Sequence, residues 1–208
     1  MTKLQVSDSV GARQAIVVGG GPAGLMAAEV LSGQGVQVDL YDAMPSVGRK
    51  FLLAGKGGLN LTHSEPLERF HTRYGARQAE VTALLQDFGP EELRAWAQGL
   101  GVSTFVGTSG RVFPTDMKAA PLLRAWLQRL RHPAHGPSVR FHMRHRWQGW
   151  QDDGVLSFDT PQGVLAVPMA ADVPVVLALG GARGGRLGSD GGWGPGLPDK
   201  GVGVRALG

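Results

Sequence analysis

The chain has 208 residues, 42% hydrophobic and 18% charged, which supplies enough apolar material for a core and argues against global disorder. The absence of Cys excludes disulfide staples, thiolate zinc sites, iron–sulfur clusters and Cys nucleophiles. A net charge of +4 permits a polyanionic partner, but no recognised nucleic-acid-binding module accompanies it, so none is expected. Residues 1–14 are polar, with no apolar h-region, and read as no signal peptide. The longest apolar runs, near 15–18 and 173–179, fall far short of the roughly 20 residues of a bilayer span. The expectation is a cytoplasmic protein with no membrane partner.

In chain order, the pattern predicts a strand at Ala15–Gly19, a Gly-rich turn, a helix from Ala23 to Gln34 and a strand at Val36–Tyr41. Gly33 and Gly35 bracket the end of that helix, where a left-handed cap favours glycine. Strand, helix and strand within 30 residues make a βαβ unit. Pro45–His63 reads as loop, and Ser64 as the N-cap of a helix whose first turn holds Pro66 and Glu68. Helices are expected over 78–88, 91–100 and 118–131, with short strands at 102–106 and 111–113. In 118–131 the apolar positions Ala119, Leu122, Leu123, Trp126, Leu127 and Leu130 follow the spacing of a core-facing helix.

From Val139 the chain reads as strands over 139–147, 155–160, 163–169 and 173–179, with Asp152-Asp153-Gly154 as a hairpin turn. Within 129–146 lie Arg129, Arg131, Arg140, Arg144 and Arg146 with His132, His135, His142 and His145. Alternation makes 139–147 a half-buried strand whose basic face meets solvent, which sets His142 and His145 on opposite faces and argues against a metal pair. Trp147 and Trp150 are read as core or hairpin packing. Glycine is concentrated at the end: 12 of the last 29 residues.

Gly19-Gly20-Gly21-Pro22-Ala23-Gly24 fits G-x-G-x-x-G at Gly19, Gly21 and Gly24. Gly19 allows the tight turn, Gly21 lets a pyrophosphate approach the backbone, and Gly24 lets helix and strand pack closely. The motif follows an apolar strand, opens a helix, and precedes an acid, Asp42, at the end of the second strand. Asp42 is expected to accept hydrogen bonds from adenosine ribose hydroxyls, and its charge disfavours a 2′-phosphate. This fingerprint does not choose between FAD and NAD, and a Gly-rich turn that binds nothing is the alternative. In the segment after Asp42, Arg49, Lys50 and Lys56 carry charge that suits a pyrophosphate.

These residues, with later motifs, resemble the BaiN/YhiN-type FAD-dependent oxidoreductases, some described as aminoacetone oxidases. The resemblance rests on Gly19–Gly24, Gly48-Arg49-Lys50, Gly55-Lys56-Gly57-Gly58-Leu59-Asn60-Leu61-Thr62, Gly110-Arg111-Val112-Phe113-Pro114 and Leu177–Gly181 followed by Leu187–Gly191. It implies an α/β, Rossmann-like FAD-binding domain, a layered β-sheet with helices and strand-rich additions. On that basis residues 14–62 form the dinucleotide-binding βαβ and flavin-side loop, 63–135 a helical segment, 138–181 a β-rich return and 182–208 a Gly-rich tail. The resemblance places Gly19, Gly20, Gly21, Pro22, Ala23 and Gly24 at the pyrophosphate and Asp42 at the ribose. It places Arg49, Lys50, Gly55, Asn60 and Thr62 near the flavin, and Gly180 and Gly181 where the last strand returns to the dinucleotide. Arg146 and Trp147 fall where such proteins have an adenine-side segment.

Family members are longer, so this chain corresponds to their N-terminal portion, and Ala182-Arg183-Gly184-Gly185 departs from the family's usual Ser and bulkier residues. The implied activity is hydride transfer between a small organic substrate, or NAD(P)H, and FAD. The alternatives are a dinucleotide-binding remnant without turnover, an NAD-binding dehydrogenase-type domain, and a nucleic-acid binder using the 129–146 segment.

Overall fold

The computed structural model describes residues 13–151, 154–170, 172–181, 191–194, 197 and 201–203. The polar N-terminus, Asp152 and Asp153, the Ala182–Gly185 departure and Leu187–Asp190 lie outside the described residues. Two compact units divide the chain: Met1–Arg49 with Leu130–Gly208, and Lys50–Arg129.

In the first unit, β1 (Gln14–Val18) is apolar and buried from Ala15 to Val18 after an exposed Gln14, as a strand covered on both faces requires. Helix α1 (Pro22–Gly33) turns Gly24, Leu25, Ala28 and Ser32 inward, a spacing close to four that makes one helical face. β2 (Gln37–Asp42) returns parallel to β1, pairing Val17 with Leu40 and Val18 with Tyr41. The sheet is completed by β6 (Arg140–Met143) beside β2 and β10 (Val175–Leu177) beside β1, in the order β10-β1-β2-β6, all parallel. A second sheet is an antiparallel meander of β7 (Arg146–Trp150), β8 (Val155–Thr160) and β9 (Gly163–Pro168). Ile16, Val18 and Tyr41 of the first sheet pack with Leu156 and Phe158 of the second, with Trp147 and Trp150 against this core. The two indoles meet edge to face at 4.9 Å, the packing expected of them.

The single strand expected over 139–147 is two strands in two sheets. Between β6 and β7, Arg144 takes φ +61, which breaks the alternation and turns the chain out of the parallel sheet. The break also overturns the opposite-face placement of His142 and His145: their rings lie 5.8 Å apart, and both contact Tyr41.

The second unit begins with a further departure from expectation. Within the segment expected to be loop, Arg49–Ala54 forms a short helix, α2, followed by a 3₁₀ turn at Gly55–Gly57. The apolar run Phe51-Leu52-Leu53 carries this helix, and Phe51 joins the unit's core. A small antiparallel sheet, in the order β3-β5-β4, comprises β3 (Thr62–His63), β4 (Thr104–Val106) and β5 (Arg111–Pro114). Around it run α3 (Leu67–Thr72), α4 (Gln78–Asp87), α5 (Pro90–Gly99) and α6 (Ala119–Arg131). Ser64 does not cap α3, which starts at Leu67 after Pro66. Its N–H and hydroxyl both donate to the Gly110 carbonyl, at 2.8 and 3.1 Å, because pairing of β3 with β5 holds it there. Leu59, Ala97, Ala119 and Leu122 form the core, and Trp96 meets Trp126 edge to face at 4.7 Å. Ala119, Leu122, Leu123, Trp126 and Leu130 of α6 are buried, in line with the spacing of the sequence.

Candidate functional site

The turn from β1 into α1 is held by three backbone contacts. Gly19 N–H donates to the Tyr41 carbonyl at 2.8 Å, Gly20 N–H to Asp42 Oδ2 at 2.6 Å, and Gly48 N–H to the Gly20 carbonyl at 2.8 Å. Gly21, with extended backbone, caps α1, and its carbonyl accepts from Leu25 N–H at 2.9 Å. No side chain caps this helix and no acid lies in its first turn, so its first-turn N–H groups have no acceptor from within the helix.

The four glycines of the turn separate by what a Cβ would meet. At Gly19 (φ +108) it would overlap the Ala178 carbonyl, at Gly24 the Gly19 carbonyl, and at Gly20 the Val47 side chain, with Asp42 Oδ2 at 2.9 Å. Those three glycines are required by the protein's own packing. At Gly21 a Cβ would have nothing within 4 Å. Glycine there answers to no neighbour among the described residues, and the open space lies beside the start of α1, which no side chain caps.

Asp42 closes the far side. Its Oδ1 accepts from Met44 N–H at 2.7 Å and its Oδ2 from Gly20, leaving each oxygen a further lone pair for an outside donor. Burial pushes its carboxyl pKa up, and the Met44 and Gly20 N–H groups and the Arg49 charge oppose that rise. Arg49 Nε is buried without a hydrogen-bond partner. An orphaned guanidinium N–H, an open glycine face and an uncapped helix N-terminus together make a donor set suited to a diphosphate. The dinucleotide that the motif implies fits these residues.

The structure brings Ala178 and the strand β10 to this turn: Ala178 N–H donates to the Val18 carbonyl at 2.8 Å. Gly180 follows with φ +72, and a Cβ on Gly181 would have nothing within 4 Å. Pro22 and Ala23 are exposed in the first turn of α1. Lys50, Gly55, Asn60 and Thr62 belong to the second unit. There Gly55 has an internal reason to be glycine, since its Cβ would lie 2.6 Å from that of Ala119. Asn60 is exposed, and Thr62 is a buried residue of β3 paired with Val112.

Val47 was not read from the sequence as part of this site, and Arg144 and His145 were read only as members of the basic segment. Val47 is buried against Gly20, and its signal was an apolar residue in a polar loop. Arg144 N–H donates to the Met44 carbonyl at 3.1 Å and His145 N–H to the Asp42 carbonyl at 2.9 Å. No local pattern announces those two bonds.

Similar folds occur among solved structures. A 3-ketosteroid-Δ4-(5α)-dehydrogenase from Rhodococcus jostii RHA1 superposes with a TM-score of 0.54 at 18% identity, over 84% of this chain and 48% of that one. A flavocytochrome c3 fumarate reductase gives 0.58 at 18% identity, over 82% and 34%. THI4 from Thermovibrio ammonificans gives 0.50 at 16% identity, over 92% and 64%. The chain thus spans between a third and two thirds of the length of these proteins. At such identities the likeness speaks for the fold. Over residues 13–207 the sequence matches the family model described as HI0933-like protein Rossmann domain. The chain therefore belongs to this HI0933-like family, the BaiN/YhiN-type FAD-dependent oxidoreductases that its motifs resemble.

Proposed function

We propose that this chain is the FAD-binding portion of a flavoprotein oxidoreductase acting on a small organic molecule. The observation that carries the proposal is Gly21, a glycine that no neighbour among the described residues requires, at the start of α1, which no side chain caps. The first-turn backbone and Arg49 would hold the pyrophosphate, and Asp42 would accept from the adenosine ribose hydroxyls. When bound, FAD supplies a ring that accepts hydride, so the protein's part is binding and orientation. Asp42 sets the preference for an unphosphorylated adenosine, because a 2′-phosphate would place like charges together.

NAD(P)H as hydride donor and a cytoplasmic location belong to the same proposal, as does the absence of a nucleic-acid or membrane partner. In support, the basic 129–146 segment is partly engaged internally. Arg140 and His142 bind Asp39 at 2.5 and 2.7 Å, and Arg131 lies over the Phe141 ring at 5.4 Å. Among the described residues no helix is long and apolar enough to cross a membrane.

The test is the visible spectrum of the purified 208-residue chain before and after adding FAD and desalting. Retention of a two-banded flavin spectrum is the expected result, and NADH and NADPH are then tried as reductants. A protein that retains no FAD and gives no binding signal with it overturns the proposal.

A further inference from the structure

Arg144 is one of two non-glycine residues with positive φ among the described residues; the other is Met117 in the second unit. An L-residue in the left-handed region persists only where its surroundings over-determine it, and such residues gather at ligand-holding places. The surroundings of Arg144 meet that condition. Before the bend, Met143 is still in register with Asp42 in the parallel sheet. Across it, His145 Nδ1–H donates back to the Met143 carbonyl at 2.8 Å, a bond that spans Arg144. The His145 ring also packs edge-on against Tyr41 and Phe158, at 5.6 and 6.2 Å.

The bend aims two successive N–H groups at one short segment. Arg144 N–H goes to the Met44 carbonyl and His145 N–H to the Asp42 carbonyl. Those are the two residues that form the Asp42 turn, in which Met44 N–H holds Oδ1. A straight continuation of β6 would alternate its N–H groups from side to side and would not direct both at this segment.

We propose that the left-handed bend at Arg144 is a positioning device that fixes the Asp42 carboxylate for the ribose hydroxyls of an adenosine diphosphate group. Its backbone conformation does this, and the guanidinium does not. The inference rests on the dinucleotide-binding reading above.

The test compares binding of ADP and of 2′,3′-dideoxy-ADP to the full chain by calorimetry. In the wild-type chain the hydroxyl-bearing ligand is expected to bind about tenfold more tightly, the effect of one hydrogen bond to a charged group. Arg144→Gly and Arg144→Ala are expected to keep that ratio, because both leave the bend accessible. Arg144→Val, whose β-branch disfavours the left-handed region, is expected to bring the ratio towards one. Arg144→Thr replaces it should the valine variant not fold.

A purely structural role would weaken both ligands alike and leave the ratio unchanged, which overturns the proposal. Loss of the ratio in Arg144→Gly would assign the effect to the guanidinium and also overturn it. Failure of both β-branched variants to fold makes the bend a folding element alone, and overturns the proposal as well. Failure of ADP to bind the wild-type chain strikes the dinucleotide-binding reading itself, so the two failures are distinguishable.

Discussion

Gly20 and Asp42, 22 residues apart, are joined by a 2.6 Å hydrogen bond from the backbone N–H of the first to Oδ2 of the second. The bond ties the glycine turn to the end of β2, so the turn proposed to meet a phosphate and the carboxylate proposed to meet a ribose are set by one contact. Val47 and Asp42 both crowd the Cβ position of Gly20, which leaves no room there for a side chain.

Gly21 and Gly24 should therefore respond differently to the same substitution. Gly21→Ala adds a methyl in open space and costs at most about 1 kcal/mol as a poorer cap. FAD affinity is expected to fall at least tenfold, measured by fluorescence titration, with the melting temperature nearly unchanged. Gly24→Ala drives a Cβ into the Gly19 carbonyl, an overpacking cost of about 2–3 kcal/mol. Thermal denaturation of that variant is expected to shift down by about 5–10 °C. Equal FAD affinity in wild type and Gly21→Ala would remove Gly21 from the site.

The raised Asp42 carboxyl sets two opposite pH dependences. Because burial makes ionisation dearer in the folded chain, its contribution to stability is greatest at low pH and falls as pH rises through the raised value. Affinity for the dinucleotide runs the other way, since the ionised carboxylate is the better acceptor. FAD binding is expected to weaken as pH falls through a range above the ordinary aspartate value of about 3.9. In Asp42→Asn that dependence should vanish, with affinity about 10–100-fold below the wild-type value at neutral pH and the gap closing as pH falls. A parallel pH profile in the two proteins would assign the titration elsewhere.

In the second unit, Glu65 accepts from Arg73 Nε and, at 2.9 Å, from Arg73 Nη2, with Arg69 Nε 3.6 Å away. The Arg73 hydrogen bond, ahead of the charges of Arg73, His63 and Arg69, holds its carboxyl below the usual glutamate range. A depressed carboxylate contributes stability that is present above its unfolded value and lost as pH falls through the folded one. Glu65→Gln is expected to flatten the acid limb of a stability–pH curve followed by circular dichroism. An unchanged limb would show that the pair contributes nothing.

Phe158 is wholly buried and stacks on Tyr41 at 4.5 Å, linking the meander to the parallel sheet next to Asp42. Phe158→Ala is expected to cost about 3–5 kcal/mol in a urea titration. A cost below about 1 kcal/mol would mean that the two sheets do not share a core.

The sequence alone determined the βαβ unit, the glycine turn and the acid at the end of the second strand. Each follows from local rules: an apolar run too continuous for an exposed strand, glycines where the chain must turn, and a spacing that carries Asp42 back to the turn. The buried face of α6 was legible for the same reason, since helical periodicity reports which side meets the core. Only the tertiary structure decided which glycine serves the fold and which faces open space, because a Cβ clash is made with residues distant in sequence. It also decided the break at Arg144. Alternating side chains speak for a continuous strand, and the carbonyls of Asp42 and Met44 that receive the bent backbone lie about a hundred residues upstream.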